Sequence, residues 1–473
     1  VNRRTKIVAT IGPASRDPET LREMVAAGMD VARLNFSHGT PELHAENVAL
    51  VREAANAAGR QVAVLQDLPG PKLRIGPVQD ETVMLESDST VEFVCGDEFE
   101  GTSTRLAVGH PGLAEAIEPD EVFYLSDGRI RLRAADIDRA NRSFTAVVEF
   151  GGRLGGRAGL NVPGEANALP SVPDEDLRLL GIGEEMGVDL VALSFVRRPE
   201  DVDVVRRYTR LPLIAKIEKP QAVERADAIA RAADCIMVAR GDLGIELPIE
   251  EVPLTQKRLI ALSGSLARPS ITATQMLDSM VTSSRPTRAE ATDVANAILD
   301  GTDAVMLSQE TAIGQHPVGA VAMMAAIAEY TERAIPFEEW NETRVHRDER
   351  DPAYTLAHSA CVAARELGLD ALVIPTLSGR SARLVSAHRP SVPIYALSPG
   401  KETVRRCGLM WGVTAAPMPR METTEELIAD ACRRVVELGW CRPGQRVGVT
   451  AGLPSGRPGT TSLLQIQTLS APH

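Results

Sequence analysis

Eight short aliphatic runs, each closed by a polar or glycine-containing end and followed by helical periodicity, limit what this chain can fold into. They are KIVATIG from Lys6, DVARLNFS from Asp30, QVAVLQDL from Gln61, DLVALSFV from Asp189, PLIAKIE from Pro212, CIMVARGD from Cys235, PSITATQM from Pro269 and AVMLSQET from Ala304. Runs that are apolar on both faces suit parallel strands buried beneath helices. Thr40-Pro41 opens one such helix, whose Val48, Val51, Ala55 and Ala58 share a face before Gly59 ends it. Thr287 and Glu290 form a capping box ahead of Ala291, Val294, Ala295 and Ile298, and that helix stops near Gly301. Eight strand–helix units are the number that closes a TIM barrel. With only 3% aromatic residues, its core has to be filled by Ala, Val, Leu and Ile.

Two stretches do not fit the repeat. About 100 residues separate the third and fourth runs, far more than an ordinary connection needs, so a domain is expected there. Its texture is alternating, as in TVMLES, TVEFVCG, EVFYLSDGRIRLRA and SFTAVVEFGG, which predicts antiparallel β structure. GGRLGGRAG, Pro163, Pro170 and Pro173 mark its return, where a hinge is expected. After Pro336 the polar segment NETRVHRDERDP reads as a linker. Beyond Tyr354, LDALVIP, VPIYALS and RVGVTAG alternate with helical patterns as a smaller α/β domain.

A net charge of −13 argues against nucleic acid or an anionic membrane as partner, so an anionic ligand must be captured locally. The six cysteines lie far apart with no Cys-x-x-Cys pair, which predicts buried reduced thiols rather than a disulfide framework or zinc ribbon. The basic start is followed by too short an apolar stretch for a signal peptide, and no run approaches the ~18 apolar residues of a membrane span. A soluble, cytoplasmic protein is expected. Neither G-x-x-x-x-G-K-[ST] nor G-x-G-x-x-G occurs, which removes support for P-loop kinases, protein kinases and Rossmann dehydrogenases.

In a TIM barrel the active site lies at the C-terminal strand ends. Here those ends carry Arg33 to His38, Asp67, Lys216-Ile217-Glu218, Arg240-Gly241-Asp242, Thr274-Gln275 and Ser308-Gln309-Glu310. Glu218 and Asp242, from adjacent strands, suit Mg²⁺ or Mn²⁺ with room for water and substrate oxygens. Lys216 and Glu218 point to the same side, and a lysine in so apolar a strand needs a carboxylate or a phosphate beside it. Arg33 adds a planar fork for an anion, and Gly241 lets a ligand approach the backbone. The set describes a small polyanion held through a metal. Metal-dependent lyases and aldolases on related barrels also use such carboxylates, but they leave Lys216, Thr274, the insertion and the C-terminal domain unexplained together. A catalytically weak relative kept as a metabolite sensor is a third reading, opposed by the intact Arg33, Lys216, Glu218, Asp242 and Thr274.

TKIVATIGPAS, RLNFSHG, KIEKPQAV, MVARGDLGIELP, ATQMLDSM and RPTRAEATDVANAILDGTDAVMLSQETAIGQHP follow one another along the chain. In these segments it resembles the pyruvate kinase family over nearly its whole length. The resemblance implies a TIM (β/α)8 barrel over residues 1–69 and 170–340, an inserted β-barrel lid over 70–169, and a C-terminal α/β effector-binding domain over 350–473. It implies phosphoryl transfer from phosphoenolpyruvate to ADP, giving pyruvate and ATP. By position, Glu218 and Asp242 would bind Mg²⁺, Lys216 and Arg33 would stabilise the migrating phosphoryl group, and Gly241, Asp242 and Thr274 would hold substrate. Thr274 would belong to a proton relay toward the enolate. Asn35, Ser37, His38 and Arg74 would lie on the ADP side. Thr376, Ser378, Gly379, Arg380 and Ser381, which open a helix after an apolar strand, correspond to the family's effector loop, so a phosphorylated effector is expected. A homotetramer is also implied.

Three positions depart from the family pattern. Many members read DTKGPE where this chain has Asp67-Leu68-Pro69-Gly70-Pro71-Lys72. Members with Glu at the Lys72 position need K⁺ near Asn35, Ser37, Asp67 and Leu68, and a Lys there can replace that ion, so K⁺-independent activity is expected. Asp174-Glu175-Asp176 stands where Glu-Lys-Asp is usual, a charge reversal that predicts weaker ADP binding. Gln309 replaces a usual Gly, with no physical account.

Overall fold

A computed structural model describes residues 3–71, 73–126, 128–162, 170–337, 339–340, 351–452 and 461–471. Eight parallel strands form a closed barrel: Lys6–Thr10, Val31–Asn35, Ala63–Asp67, Leu190–Leu193, Leu213–Ile217, Cys235–Ala239, Ser270–Ala273 and Ala304–Leu307. Each lies within one of the eight aliphatic runs. The first and last pair in register from Lys6 opposite Ala304 to Ala9 opposite Leu307, which closes the cylinder. Alternation along the strands divides their side chains between two cores. Val8, Val31, Leu65, Ile214, Met237, Ile271 and Met306 fill the barrel, while Ile7, Leu34, Val64, Val191, Ala215 and Val238 pack under the helices. Each fully buried aliphatic side chain of this kind contributes roughly 1.5–3 kcal/mol against the entropy of ordering the chain.

The helix starts are as the sequence signals. Thr40 caps Pro41–Ala57 by accepting the Leu43 N–H, and Thr287 and Glu290 cap Arg288–Leu299 reciprocally. Ala58, expected on the apolar face, lies past the last helical turn and is exposed; Ala54 takes its place in the core.

Between the third and fourth barrel strands lies a seven-stranded sheet whose edge strands, Leu73–Arg74 and Arg105–Val108, are brought together by an antiparallel bridge between Ile75 and Val108. The sheet therefore curls toward a barrel. It is mixed rather than wholly antiparallel, because Thr90–Cys95 runs parallel to Arg105–Val108. Phe93, Phe123 and Phe144 meet at its centre with ring centroids 5.0–5.7 Å apart, concentrating three of the chain's eight phenylalanines in one small core.

The C-terminal sheet has five strands, in the order Val413–Pro417, Ile394–Ser398, Ala371–Pro375, Arg446–Gly452 and Thr461–Thr468, the last antiparallel. Its first and last members were not anticipated. All six cysteines are free thiols; Cys432 is half-buried and the others are buried. No helix among the described residues is long and apolar enough to cross a membrane.

This domain is fastened to the N-terminal end of the barrel by Arg389, which is completely buried. Its guanidinium pairs with Asp303 at 2.8 Å, donates to the Gly301 carbonyl at 2.8 Å and lies 4.7 Å from the Trp411 ring centroid. Asp303 also accepts the Ser270 N–H at 3.0 Å. Removing one charge of such a buried pair costs about 3–5 kcal/mol, because the other is stranded. Asp303→Asn is therefore expected to lower the free energy of urea unfolding by an amount of that order, seen as a lower midpoint at unchanged slope. Adding Arg389→Met should recover most of the loss, and equal midpoints for wild type and Asp303→Asn would refute the assignment.

Candidate active site

The strand ends converge on Lys216, whose side chain is only 12% exposed. Its ammonium lies 2.9 Å from Glu218 Oε1 and 3.3 Å from Asp67 Oδ1, and donates to Ser194 Oγ at 2.7 Å. Ser194 in turn donates to the Leu68 carbonyl at 2.7 Å. Arg33 donates to Asp67 Oδ2 at 2.7 Å through Nε and to Thr10 Oγ1 at 3.0 Å through Nη1. Asp67 thus carries a cation on each oxygen. Burial pushes its carboxyl upward, but Lys216 and Arg33 outweigh burial and hold it below the ordinary carboxylate range. Burial likewise disfavours the Lys216 ammonium, yet Asp67 and Glu218 more than compensate, so the amine stays protonated.

Glu218 is fully buried and lies just past the end of its strand. Oε2 accepts the Phe195 N–H at 2.7 Å, whereas Oε1 faces Lys216 without hydrogen-bond geometry to any donor. Burial, with the charge of Asp242 added, outweighs Lys216 and leaves the Glu218 carboxyl above its usual range. Asp242 enters from the short helix Arg240–Glu246 after the sixth strand. Two carboxylates brought together from adjacent strand ends, one of them buried with a single backbone donor and one ammonium, suit an oxygen-seeking divalent cation. Among the described residues no group of three His, Cys, Asp or Glu side chains is arranged to hold a metal, so ligands beyond these two carboxylates would come from substrate and water.

The opposite wall is built from strained backbone. Thr274 and Gln275 have φ of 74° and 55°, and Phe195 has φ of 56°, a region that non-glycine residues seldom occupy. Arg240 helps to hold the first pair: it donates to the Thr274 carbonyl at 2.8 Å while its other arm pairs with Asp293 at 2.6 Å. The Thr274 hydroxyl accepts the Gly241 N–H at 2.7 Å and donates to the Ala273 carbonyl at 2.5 Å. A cleft of about 770 Å³ runs from Arg240, Gly241 and Gln275 to Tyr124 and Arg131 of the inserted sheet.

Residues 2–321 match the model of the pyruvate kinase barrel domain and residues 354–467 that of the pyruvate kinase alpha/beta domain. The chain belongs to the pyruvate kinase family. It is 41% identical to the pyruvate kinase of Geobacillus stearothermophilus, over 99% of this chain and 81% of that protein. It is also 41% identical to that of Agrobacterium vitis, over 98% of each, and 39% identical to that of Corynebacterium glutamicum, over 99% and 98%. Pyruvate kinases are phosphotransferases that use phosphoenolpyruvate and ADP, and this chain is an enzyme of that class.

The other positions that the pyruvate kinase resemblance singles out lie on several separate elements. Asn35 accepts the Ser37 N–H at 3.2 Å, at the end of the second strand. His38 is exposed just beyond it, with its carbonyl 2.9 Å from His44 Nε2. Arg74 lies on the inserted sheet and donates to the Arg157 carbonyl at 3.1 Å. Lys72 lies outside the described residues. Glu175 is exposed in the first turn of Asp174–Met186 and clasps Arg178 through both oxygens at 2.6 and 2.8 Å. Gln309 is exposed at the start of Gln309–Ala312. In the C-terminal domain the Thr376 hydroxyl accepts the Gly379 N–H at 3.0 Å, Gly379 has φ of 82°, and Arg380, which opens the helix Arg380–Ala387, pairs with Asp351.

Sequence reasoning missed Ser194, Phe195 and Thr10, which hold Lys216, Glu218 and Arg33 in place. Ser194 and Thr10 are hydroxyls in aliphatic runs and were visible as such; Phe195 acts through its N–H, which no side chain announces. A hydrogen bond to a charged group is worth roughly 1.5–3 kcal/mol. Ser194→Ala should therefore lower kcat about tenfold or more, with thermal unfolding little changed; wild-type turnover would exclude Ser194 from the site.

Proposed function

We propose that this enzyme transfers the phosphoryl group of phosphoenolpyruvate to ADP at the mouth of the barrel, in the presence of Mg²⁺ or Mn²⁺, as the last step of glycolysis. The observation that carries this reading is the buried Lys216 between Asp67 and Glu218, with Asp242 beside Glu218. Glu218 and Asp242 would hold the metal, which when bound supplies positive charge to the carboxylate and phosphoryl oxygens of the substrate. Lys216 and Arg33 would face the transferring phosphoryl group. Both are held by hydrogen bonds and ion pairs before substrate arrives, so little reorganisation is needed as charge shifts. Gly241 and Thr274 would seat the substrate carboxylate. The Thr274 proton is already directed at Ala273, which favours delivery of the enolate proton through a water ordered at that hydroxyl. In this reading residues 70–169 form a lid over the barrel of 1–69 and 170–340, limiting hydrolysis when closed.

Four finer readings accompany this. Asn35, Ser37, His38 and Arg74 would meet ADP. Lys72 would replace K⁺ beside Asn35, Ser37, Asp67 and Leu68, which makes the activity independent of K⁺. Thr376, Ser378, Gly379, Arg380 and Ser381, within residues 350–473, would bind a phosphorylated effector, with Gly379 supplying the αL turn before the helix. The working assembly would be a cytoplasmic homotetramer.

Pyruvate formation from phosphoenolpyruvate and ADP tests the main reading. It should require Mg²⁺ or Mn²⁺, cease with EDTA and be lost in Lys216→Met. Absence of turnover in wild type, or full turnover in the variant, would defeat it. In buffer free of Na⁺ and K⁺, adding K⁺ should leave the rate essentially unchanged; a large rise would overturn the role given to Lys72.

Glu175 offers a separate check. Its exposed carboxylate, paired with Arg178, offers ADP no ammonium at this position, and exposed charge effects are small and screened by salt. Glu175→Lys should lower the ADP KM roughly two- to fivefold, less at high salt, and an unchanged KM would remove Glu175 from the nucleotide side.

A further inference from the structure

The chain leaves the barrel after the third strand through Leu68-Pro69-Gly70-Pro71 and re-enters it at the helix Asp174–Met186. The two ends of this excursion meet at one contact. The Gly70 N–H donates to both oxygens of Asp176, at 3.1 Å to Oδ2 and 3.3 Å to Oδ1. Gly70 has φ of 68°, and a Cβ there would fall 2.9 Å from both Phe195 Cδ2 and Ser194 Cβ. Conformation and space both demand glycine. Gly70 is thus pressed against the two residues whose Oγ and N–H hold Lys216 and Glu218.

Asp176 is 5% exposed and forms no ion pair among the described residues. Burial, reinforced by Asp67 and Glu175, pushes its carboxyl up to about 6, against the pull of the Gly70 N–H and of Lys216. Burying a carboxylate without a cation on it is costly, and a solvent-facing residue in the first turn of this helix would avoid the cost. What the position gains is the link to Gly70. The return side has a parallel: Lys219, paired with Glu246, lies 3.4 Å from the Val162 carbonyl, and Arg197 donates to Ser171 Oγ at 3.0 Å.

We infer that Asp176 is a positioning residue for the phosphoryl-transfer site: it clasps the root of the inserted sheet at Gly70, so that Gly70, Ser194 and Phe195 keep Lys216 and Glu218 in register as the lid moves. The catalytic part of this inference rests on the function proposed above; the clasp itself does not.

The sequence around Gly70 provides an unusually clean probe. Pro69 and Pro71 have no N–H, so hydrogen exchange of a fragment reporting on residues 68–71 reads only Leu68, which bonds to the Ala192 carbonyl, and Gly70. In Asp176→Ala, Gly70 should exchange about tenfold faster or more while Leu68 stays protected. The phosphoenolpyruvate KM should rise, and phosphate release without ATP formation should increase relative to pyruvate formation. Asp176→Asn, which keeps a carbonyl oxygen toward Gly70, should restore both protection and turnover most of the way. Wild-type Gly70 exchange in Asp176→Ala overturns the clasp. An Asp176→Asn variant as inactive as Asp176→Ala with Gly70 still protected overturns the positioning role, because it would assign the effect to charge alone. If wild type shows no phosphoenolpyruvate turnover but Asp176→Ala still loses Gly70 protection, the clasp stands and the functional reading fails.

Discussion

The site depends on keeping one ammonium charged inside an aliphatic barrel. Left alone, Lys216 would shed its proton to escape the low-dielectric surroundings. Asp67 and Glu218 prevent this, but they are buried carboxylates that need donors of their own, which Arg33 and the Phe195 N–H supply. No member can be removed without stranding another. This mutual dependence gives the strand ends a fixed geometry before any ligand arrives, and preorganised charge of this kind is what a phosphoryl transfer can use.

The same group resolves a tension in the composition. A chain with net charge −13 is a poor long-range attractor of polyanions. Within the mouth the count differs: two cations, Arg33 and Lys216, face three carboxylates, Asp67, Glu218 and Asp242. That leaves the cluster one negative charge from neutrality, and a divalent cation would turn it positive. With such a cation bound, an anionic substrate would be selected locally at the mouth rather than by the acidic surface.

The barrel was legible because a parallel strand covered on both faces has to be aliphatic throughout, so each of the eight runs announced itself. Arg33, Asp67, Lys216, Glu218, Asp242 and Thr274 were legible because polar residues at strand ends are read against that background. What escaped detection acts through the backbone or through unpatterned residues. Phe195 and Gly70 contribute N–H groups, and the strained φ at Thr274 and Gln275 is a property of how Arg240 and Gly241 hold them. In the inserted sheet, alternation reads as antiparallel structure, but alternation marks strands and not their direction, so the parallel pairing of Thr90–Cys95 with Arg105–Val108 corrects that expectation. The edge strand Val413–Pro417 escaped notice because Val413 is its only large aliphatic residue.

One strand links the two ends of the barrel. Ser270–Ala273 has four residues, and its register with Cys235–Ala239 is fixed by pairing from Ser270 to Ala273. At its N-terminal end the Ser270 N–H is held by Asp303, whose other oxygen is held by Arg389 of the C-terminal domain. At its C-terminal end sits Thr274 with φ of 74°. Arg389 follows closely on the helix Arg380–Ala387, which begins at the Thr376–Ser381 loop. Close-packed strands are little compressible, so the place that Asp303 gives to Ser270 also sets, four residues later, the place of Thr274. The strained φ at Thr274 persists because Arg240 and Gly241 over-determine it from one side while the register of this short strand fixes it from the other.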